Sequence, residues 1–433
     1  MSETLIADLI AGRVPDPDGG GLLHVATRAV TIASTLRGGE AELVAPLGLG
    51  RHLAVVSDST THELLGARVE RALASLGRVT SIVLPGRPHP DAANVEKIRV
   101  ESMSADALVA VGSGTINDLC KYSSALDRKS YVVFATAPSM NGYTSLNAAI
   151  TVDGHKRSLA AQAPLAVYMD LGILAAAPPR MIRSGLGDSL CRPTAQADWL
   201  LSHLLFDRPY RDMPFVLLAA DEEQLFAEPE ALMAGDLAAM TCLVRTILLS
   251  GFGTAICGHS QAASQGEHLI SHYADMFGDH SWPDSFHGEQ IGVTTLTMAR
   301  LQERVLDGPP PRLVATTADE DAFIARYGEE LGRSCWVEFA QKRLDPARAQ
   351  AASERVAASW NGIRQRIQNV TRPARFLADV LRRAGAPTGP EDLGWPRQFY
   401  QRAVRQARDI RNRYTFLDLA ADSARLEPVD ELA

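Results

Sequence analysis

Cysteine is scarce in this chain. Its five residues, Cys120, Cys191, Cys242, Cys257 and Cys335, are odd in number, widely spaced and never arranged as C-x-x-C. That pattern argues against a disulfide frame or a cysteine-rich zinc site, and it fits reduced thiols in the cytoplasm. Positive charge is also short: 43 Lys and Arg stand against 51 Asp and Glu, a formal net charge of -8. No basic block interleaves with aromatics, so the field that grips phosphates along a nucleic acid is missing and no nucleic acid partner is expected. Long apolar runs are lacking as well. The greasiest, residues 237–251, falls short of the roughly 20 residues a spanning helix needs and contains Arg245, so no membrane partner is expected. Met1-Ser2-Glu3-Thr4 opens without a basic stretch leading into an apolar core, so no export signal is expected.

What is present is ordinary globular material. A chain of 433 residues, 46% hydrophobic and 22% charged, is long enough for two domains. Residues 52–57 read as a buried strand, and Thr60 to Glu63 offers a capping box for a helix ending near Gly77. Residues 79–84, 107–111 and 131–135 read as further strands, with a helix over 91–104. Such alternation predicts a parallel sheet flanked by helices, a Rossmann-like α/β domain over residues 1–178. Residues 148–152, the turn Asp153-Gly154 and residues 166–169 suggest a local excursion closing that domain, and Pro178-Pro179 marks its boundary. From 179 to 433 the apolar residues recur at helical spacing, through 181–199, 232–249, 262–276, 288–305 and 347–367. An all-helical C-terminal domain is expected.

Strand 107–111 runs directly into Gly112-Ser113-Gly114-Thr115-Ile116-Asn117-Asp118. A strand, glycines and a helix start can aim backbone N–H groups at a phosphate, and glycine permits close approach or positive φ. The same residues also suit a tight turn with no ligand. Asn117 replaces the third glycine of the usual dinucleotide motif, and no acidic residue ends the following strand. Asp58, just after the first strand, is the candidate ribose partner, although an Asp there is also a common helix cap. The polar loop 136–145 follows strand 131–135.

The helical region carries a sharper pattern. His268 and His272 stand at i and i+4 on one helix face, His287 follows 19 residues after His268, and Asp188 interrupts an apolar segment. A carboxylate and two imidazoles are a three-ligand set with an open position, as a catalytic divalent metal requires. Each residue alone is unremarkable, and His259 and His280 are alternatives.

Taken in order, Gly112 to Asp118, Thr136 to Tyr143, Gly185 to Asp188, Gly266 to His272 and His287 to Gln290 resemble the sn-glycerol-1-phosphate dehydrogenase family. Arg413 to Leu419 resembles the ending of its bacterial branch. That family lies within the dehydroquinate synthase-like and iron-containing alcohol dehydrogenase superfamily. The resemblance implies NAD(H) or NADP(H) and one divalent metal (zinc foremost, with iron or nickel as alternatives) in a cytoplasmic homo-oligomer. It assigns the cofactor pyrophosphate to Gly112, Ser113, Gly114, Thr115 and Ile116, the nicotinamide side to Thr136, Ser139 and Ser145, and the adenosine ribose to Asp58. Asp188, His268 and His287 would bind the metal; Asp188 and His272 would face the substrate. Position 141, often Asp in the family, is Asn141 here, which puts the substrate in question more than the reaction class.

The implied reaction interconverts sn-glycerol 1-phosphate, or a close polyol-phosphate analogue, and dihydroxyacetone phosphate. His272 is the candidate proton relay, or alternatively a metal ligand. His155-Lys156-Arg157 is a candidate contact for the substrate phosphate. Two related activities remain open: a dehydroquinate synthase-like cyclase that regenerates its NAD, and a glycerol or alcohol dehydrogenase acting on an unphosphorylated substrate. A non-catalytic interaction protein is the weakest alternative, because every expected ligand position is filled.

Overall fold

A computed structural model describes residues 2–152, 155–279 and 281–432, with the side chains of residues 2, 3, 155 and 156 outside that description. The expected turn Asp153-Gly154 and the alternative histidine His280 fall outside the described residues. Contacts group the chain into two compact units, Met1–Ser189 with Asp212–Ser260 and Leu190–Arg211 with Gln261–Ala433.

The first unit is built on strands β1 (Ala29–Ala33), β2 (His52–Asp58), β3 (Arg78–Leu84), β4 (Ala107–Gly112) and β5 (Ser130–Ala135). An antiparallel pair, β6 (Asn147–Val152) and β7 (His155–Ala160), interrupts the series before β8 (Ala166–Asp170). Six of these strands form one parallel sheet in the order β1-β8-β5-β4-β2-β3. Every residue of β4 and of β8 is buried, which explains why both are apolar runs, broken in β8 only by its last residue, Asp170. The expected excursion is this antiparallel pair, but residues 166–170 do not belong to it. They insert between β1 and β5 as a central strand, which an apolar run without alternation favours.

The helix after β2 also starts differently from the capping box read at Thr60 and Glu63. Asp58 is the cap: its carboxylate accepts from the Thr61 N–H at 2.8 Å, and the Thr61 hydroxyl accepts from the Asp58 N–H at 3.0 Å. Thr60 is therefore already inside the helix.

Six helices matter for function: α1 (Gly114–Leu126), α2 (Pro179–Leu190), α3 (Arg192–Phe206), α4 (Leu237–Cys257), α5 (Gly266–Phe277) and α6 (His287–Asp307). Helix α4 is longer than the apolar run in the sequence suggested. Its 21 residues have a mean hydropathy of 1.5 over their apolar window, long and apolar enough to cross a membrane by length and composition, yet 72% of that window is buried inside the protein. Arg245 is accommodated by Asp221 at 2.9 Å. Gly251 and Gly253 do not stop the helix; they let it approach Thr144 and Pro214.

The second unit, as described, is helical throughout. Leu269, Ile270 and Tyr273 of α5 pack with Val293, Met298 and Leu301 of α6, and with Phe399, Tyr400 and Phe416 from the C-terminal helices.

Candidate active site

In the first unit the site is set by the carboxyl ends of the parallel strands. The chain runs outward from β2 to β3 and then crosses back to β4 on the other flank of β2. Such a reversal leaves a crevice where open sheets bind ligands. Val56 pairs with Ala110, so Asp58 at the end of β2 stands level with Gly112 at the end of β4.

Gly112 and Gly114 serve by lacking a side chain, and neither has positive φ. A Cβ on Gly112 would lie 2.5 Å from the Ile116 side chain, and one on Gly114 would lie 2.9 Å from Met140. Ser113 takes the extended cap conformation of α1 (φ -82°, ψ -166°) without a side-chain capping bond. The first N–H groups of a 13-residue helix therefore point past Gly114, Thr115 and Ile116 with the dipole's positive end behind them. Asn117, in the place of the third glycine, is buried, and its side-chain oxygen accepts from the Tyr131 hydroxyl at 3.4 Å.

The loop 136–145 is pinned from several sides. The Thr136 N–H donates to the Gly112 carbonyl at 3.1 Å, and the Ser184 hydroxyl of α2 donates to the Ser139 carbonyl at 2.9 Å. The Tyr143 hydroxyl donates to the Ala137 carbonyl at 2.7 Å, and Thr144 donates to the Leu248 carbonyl of α4 at 2.8 Å. A Cβ on Gly185 would overlap the carbonyl oxygen of Pro138, so α2 lies directly on the loop. The buried Lys121 of α1 was missed by sequence reasoning. Its ammonium donates to the Gly142 carbonyl at 2.5 Å, the Ser145 hydroxyl at 3.1 Å and the Asn147 carbonyl at 3.2 Å. Burial pushes its pKa down to about 8, with Asp118 opposing. One lysine thus ties helix α1 to the segment carrying Ser145.

Asp188, fully buried on α2, accepts from the backbone N–H of Asn141 at 2.8 Å. The expected substrate-facing pair Asn141 and Asp188 is therefore joined, but through the main chain of residue 141. Asp58 is a helix cap and also lies at the crevice, so both of its expected uses remain compatible. Arg157 is exposed; the side chains of His155 and Lys156 lie outside the described residues.

In the second unit three imidazoles gather. His268 and His287 have ring centroids 5.2 Å apart and one nitrogen each within 4.8 Å of the other. Two imidazoles bound tetrahedrally at about 2.0–2.1 Å hold their centroids roughly 5 Å apart, so this pair has the spacing a shared cation needs. His272 lies 5.8 Å from His268 and stacks on His287 at 6.2 Å. The helices are locked together by the Ser271 hydroxyl donating to Gln290 at 2.6 Å. His287 opens α6, where Glu289 folds back to accept from the Phe286 N–H at 2.8 Å. Glu267 is buried beside His268, and Nδ1 of that ring lies 2.9 Å from its Oε1. The sequence showed Glu267 without giving it a role.

Residues 32–178 match the family model described as iron-containing alcohol dehydrogenase. The chain is 30% identical over 391 residues to glycerol-1-phosphate dehydrogenase [NAD(P)+] of Geobacillus stearothermophilus, covering 87% of this chain and 89% of the relative. It is 32% identical to the enzyme of that name from Pyrococcus furiosus, over 57% of this chain and 70% of the relative. A probable glycerol dehydrogenase from Sinorhizobium meliloti shares the fold at a TM-score of 0.60 and 17% identity, over 93% and 96% of the two chains.

Proposed function

Because this chain belongs to the glycerol-1-phosphate dehydrogenase family, we infer that it interconverts sn-glycerol 1-phosphate and dihydroxyacetone phosphate with NAD(H) or NADP(H). One divalent metal, zinc foremost, is held by Asp188, His268 and His287. The observation that carries the metal reading is the pair of imidazoles on α5 and α6 at 5.2 Å. Asp188 stands one helical turn before Cys191, whose sulfur lies within 4.8 Å of a ligand atom of His268, which supports the carboxylate as the third donor.

When bound, the metal polarises the substrate oxygen and the nicotinamide gives or takes hydride. The chain's own part is to hold the reactants. The N–H groups opening α1 receive the cofactor pyrophosphate, and Asp58 meets the adenosine ribose hydroxyls. The pinned loop with Thr136, Ser139 and Ser145 fixes the nicotinamide side. Asn141 offers the substrate an amide, which keeps an acceptor and adds N–H donors where the family often has a carboxylate. His272, beside both proposed imidazole ligands, carries the proton between substrate and solvent, a task that suits an imidazole near neutral pH. In this reading residues 1–178 serve the dinucleotide and residues 179–433 the metal and substrate, within a homo-oligomeric enzyme of the cytoplasm.

Purified protein with NADH or NADPH, each candidate metal, and dihydroxyacetone phosphate tests the reading. Stoichiometric loss of reduced cofactor with the phosphorylated ketone supports it. Turnover only with dihydroxyacetone or simple ketones assigns an unphosphorylated substrate. Release of phosphate from a sugar phosphate without net cofactor consumption assigns the cyclase chemistry.

A further inference from the structure

We propose that Glu267 is the positioning residue of the metal centre: its carboxylate holds Nδ1–H of His268, so that Nε2 is the atom turned to the cation. The inference rests on the metal reading above and extends it to a residue that does not touch the metal.

Neighbouring residues on a helix point roughly 100° apart, so an i,i+1 side-chain contact does not arise from helix geometry alone. Here it is built. Glu267 sits in the first turn of α5 and is fully buried, and its Oε1 accepts from the Gln265 N–H at 2.8 Å as well as facing His268 Nδ1 at 2.9 Å. The backbone bond folds the carboxylate back over the start of the helix, which brings it onto the following ring. A carboxyl group taken wholly out of water is costly unless its partners repay that cost. The neighbouring Asp198 accentuates the cost: burial and then Glu267 raise its pKa well above the ordinary carboxylate range.

The tautomer follows from the bond. A neutral imidazole whose Nδ1 proton is held by a carboxylate presents a lone pair at Nε2, and the carboxylate makes that nitrogen a stronger donor. The rival arrangement is a separate metal set of Cys191, Glu267 and His268, whose ligand atoms also lie within 4.8 Å of one another. Oε1 is already engaged by the Gln265 N–H and by His268 Nδ1, so that set would have to ligate through Oε2, which is buried without a hydrogen-bond partner, and Cys191→Ser distinguishes the two arrangements. The Cys191 thiol meanwhile faces the Ala263 carbonyl at 3.8 Å.

Zinc affinity, read by competition with a chromophoric chelator, separates these cases across Glu267→Gln, Glu267→Ala, Cys191→Ser and His268→Ala. Glu267→Ala should bind zinc about 10–100-fold more weakly than the unaltered protein. Glu267→Gln keeps an acceptor oxygen in a buried site of the same shape, and should recover most of that loss. Cys191→Ser should bind as the unaltered protein does. Long-range nitrogen–proton spectra of the zinc-loaded protein should show His268 protonated at Nδ1 and metallated at Nε2. Unchanged affinity in Glu267→Ala, metallation at Nδ1, or a Cys191→Ser loss as large as that of His268→Ala would each overturn the proposal. Wild-type zinc affinity in His268→Ala would sink the metal reading itself, whereas failure of the Glu267 variants alone would leave it standing.

Discussion

The backbone N–H of Asn141 donates to the carboxylate of Asp188 across 2.8 Å, so a proposed metal ligand on α2 is oriented by the main chain of the loop 136–145. The bond does not depend on the side chain at 141. Asn141→Ala should therefore retain its metal while losing one substrate hydrogen bond. An increase in KM for dihydroxyacetone phosphate of about 5–10-fold is expected, from roughly 1 kcal/mol per such bond. Steady-state kinetics beside metal analysis checks this; loss of metal would show that the side chain matters to Asp188.

Lys121 makes stability depend on alkaline pH. Its pKa of about 8 in the folded chain lies below the ordinary lysine value of 10.5, so the unfolded chain binds more protons between those values. Stability should rise with pH through that window. Lys121→Met, which keeps an apolar stem, should abolish the rise and loosen the segment 142–147. Denaturant unfolding at pH 7.5 and 9.5, with KM for NADH measured on both proteins, reads both effects.

Two glycine substitutions should have opposite signs. A Cβ on Gly185 overlaps the Pro138 carbonyl, so Gly185→Ala must push α2 off the loop 136–145, at about 3 kcal/mol of stability. Nothing lies within 4 Å of a Cβ on Gly362, inside the helix Pro346–Gln368, so Gly362→Ala should stabilise by about 0.5–1 kcal/mol. Unfolding midpoints of the two variants check the sign in each case.

Asp58 is both a cap and the proposed ribose partner. Asp58→Ala should cost about 1 kcal/mol through the lost bond to the Thr61 N–H. It should also raise turnover with NADPH relative to NADH, because a carboxylate at the proposed ribose site that repels a 2′-phosphate is gone. A stability loss with unchanged cofactor preference would leave Asp58 only the capping role.

Much of the sheet could be read from the sequence because β2, β4 and β5 are short apolar runs bounded by polar residues. β1 escaped because all five of its residues are partly exposed, and it forms only by pairing with β8, which lies 137 residues downstream by the Ala29 to Ala166 pairing. Glu320–Tyr327 and Glu329–Ala340 escaped because they are rich in charge and bury few residues, chiefly Phe323, Cys335 and Phe339. His268 and His272 were readable from their i,i+4 spacing. Glu267 was not, since adjacent helical residues are not expected to meet, and neither was Lys121, since lysine is rarely fully buried. In both cases main-chain groups hold the side chain in place, the Gln265 N–H for Glu267 and the Gly142 and Asn147 carbonyls for Lys121, and composition and periodicity do not reveal such partners.

The central claim is most directly tested by elemental analysis of purified wild-type and His287→Ala proteins, each followed by NADH turnover with dihydroxyacetone phosphate. About one equivalent of divalent metal per wild-type chain is expected, and neither metal nor turnover in the variant at unchanged fold. Equal metal content and full turnover in His287→Ala would contradict it.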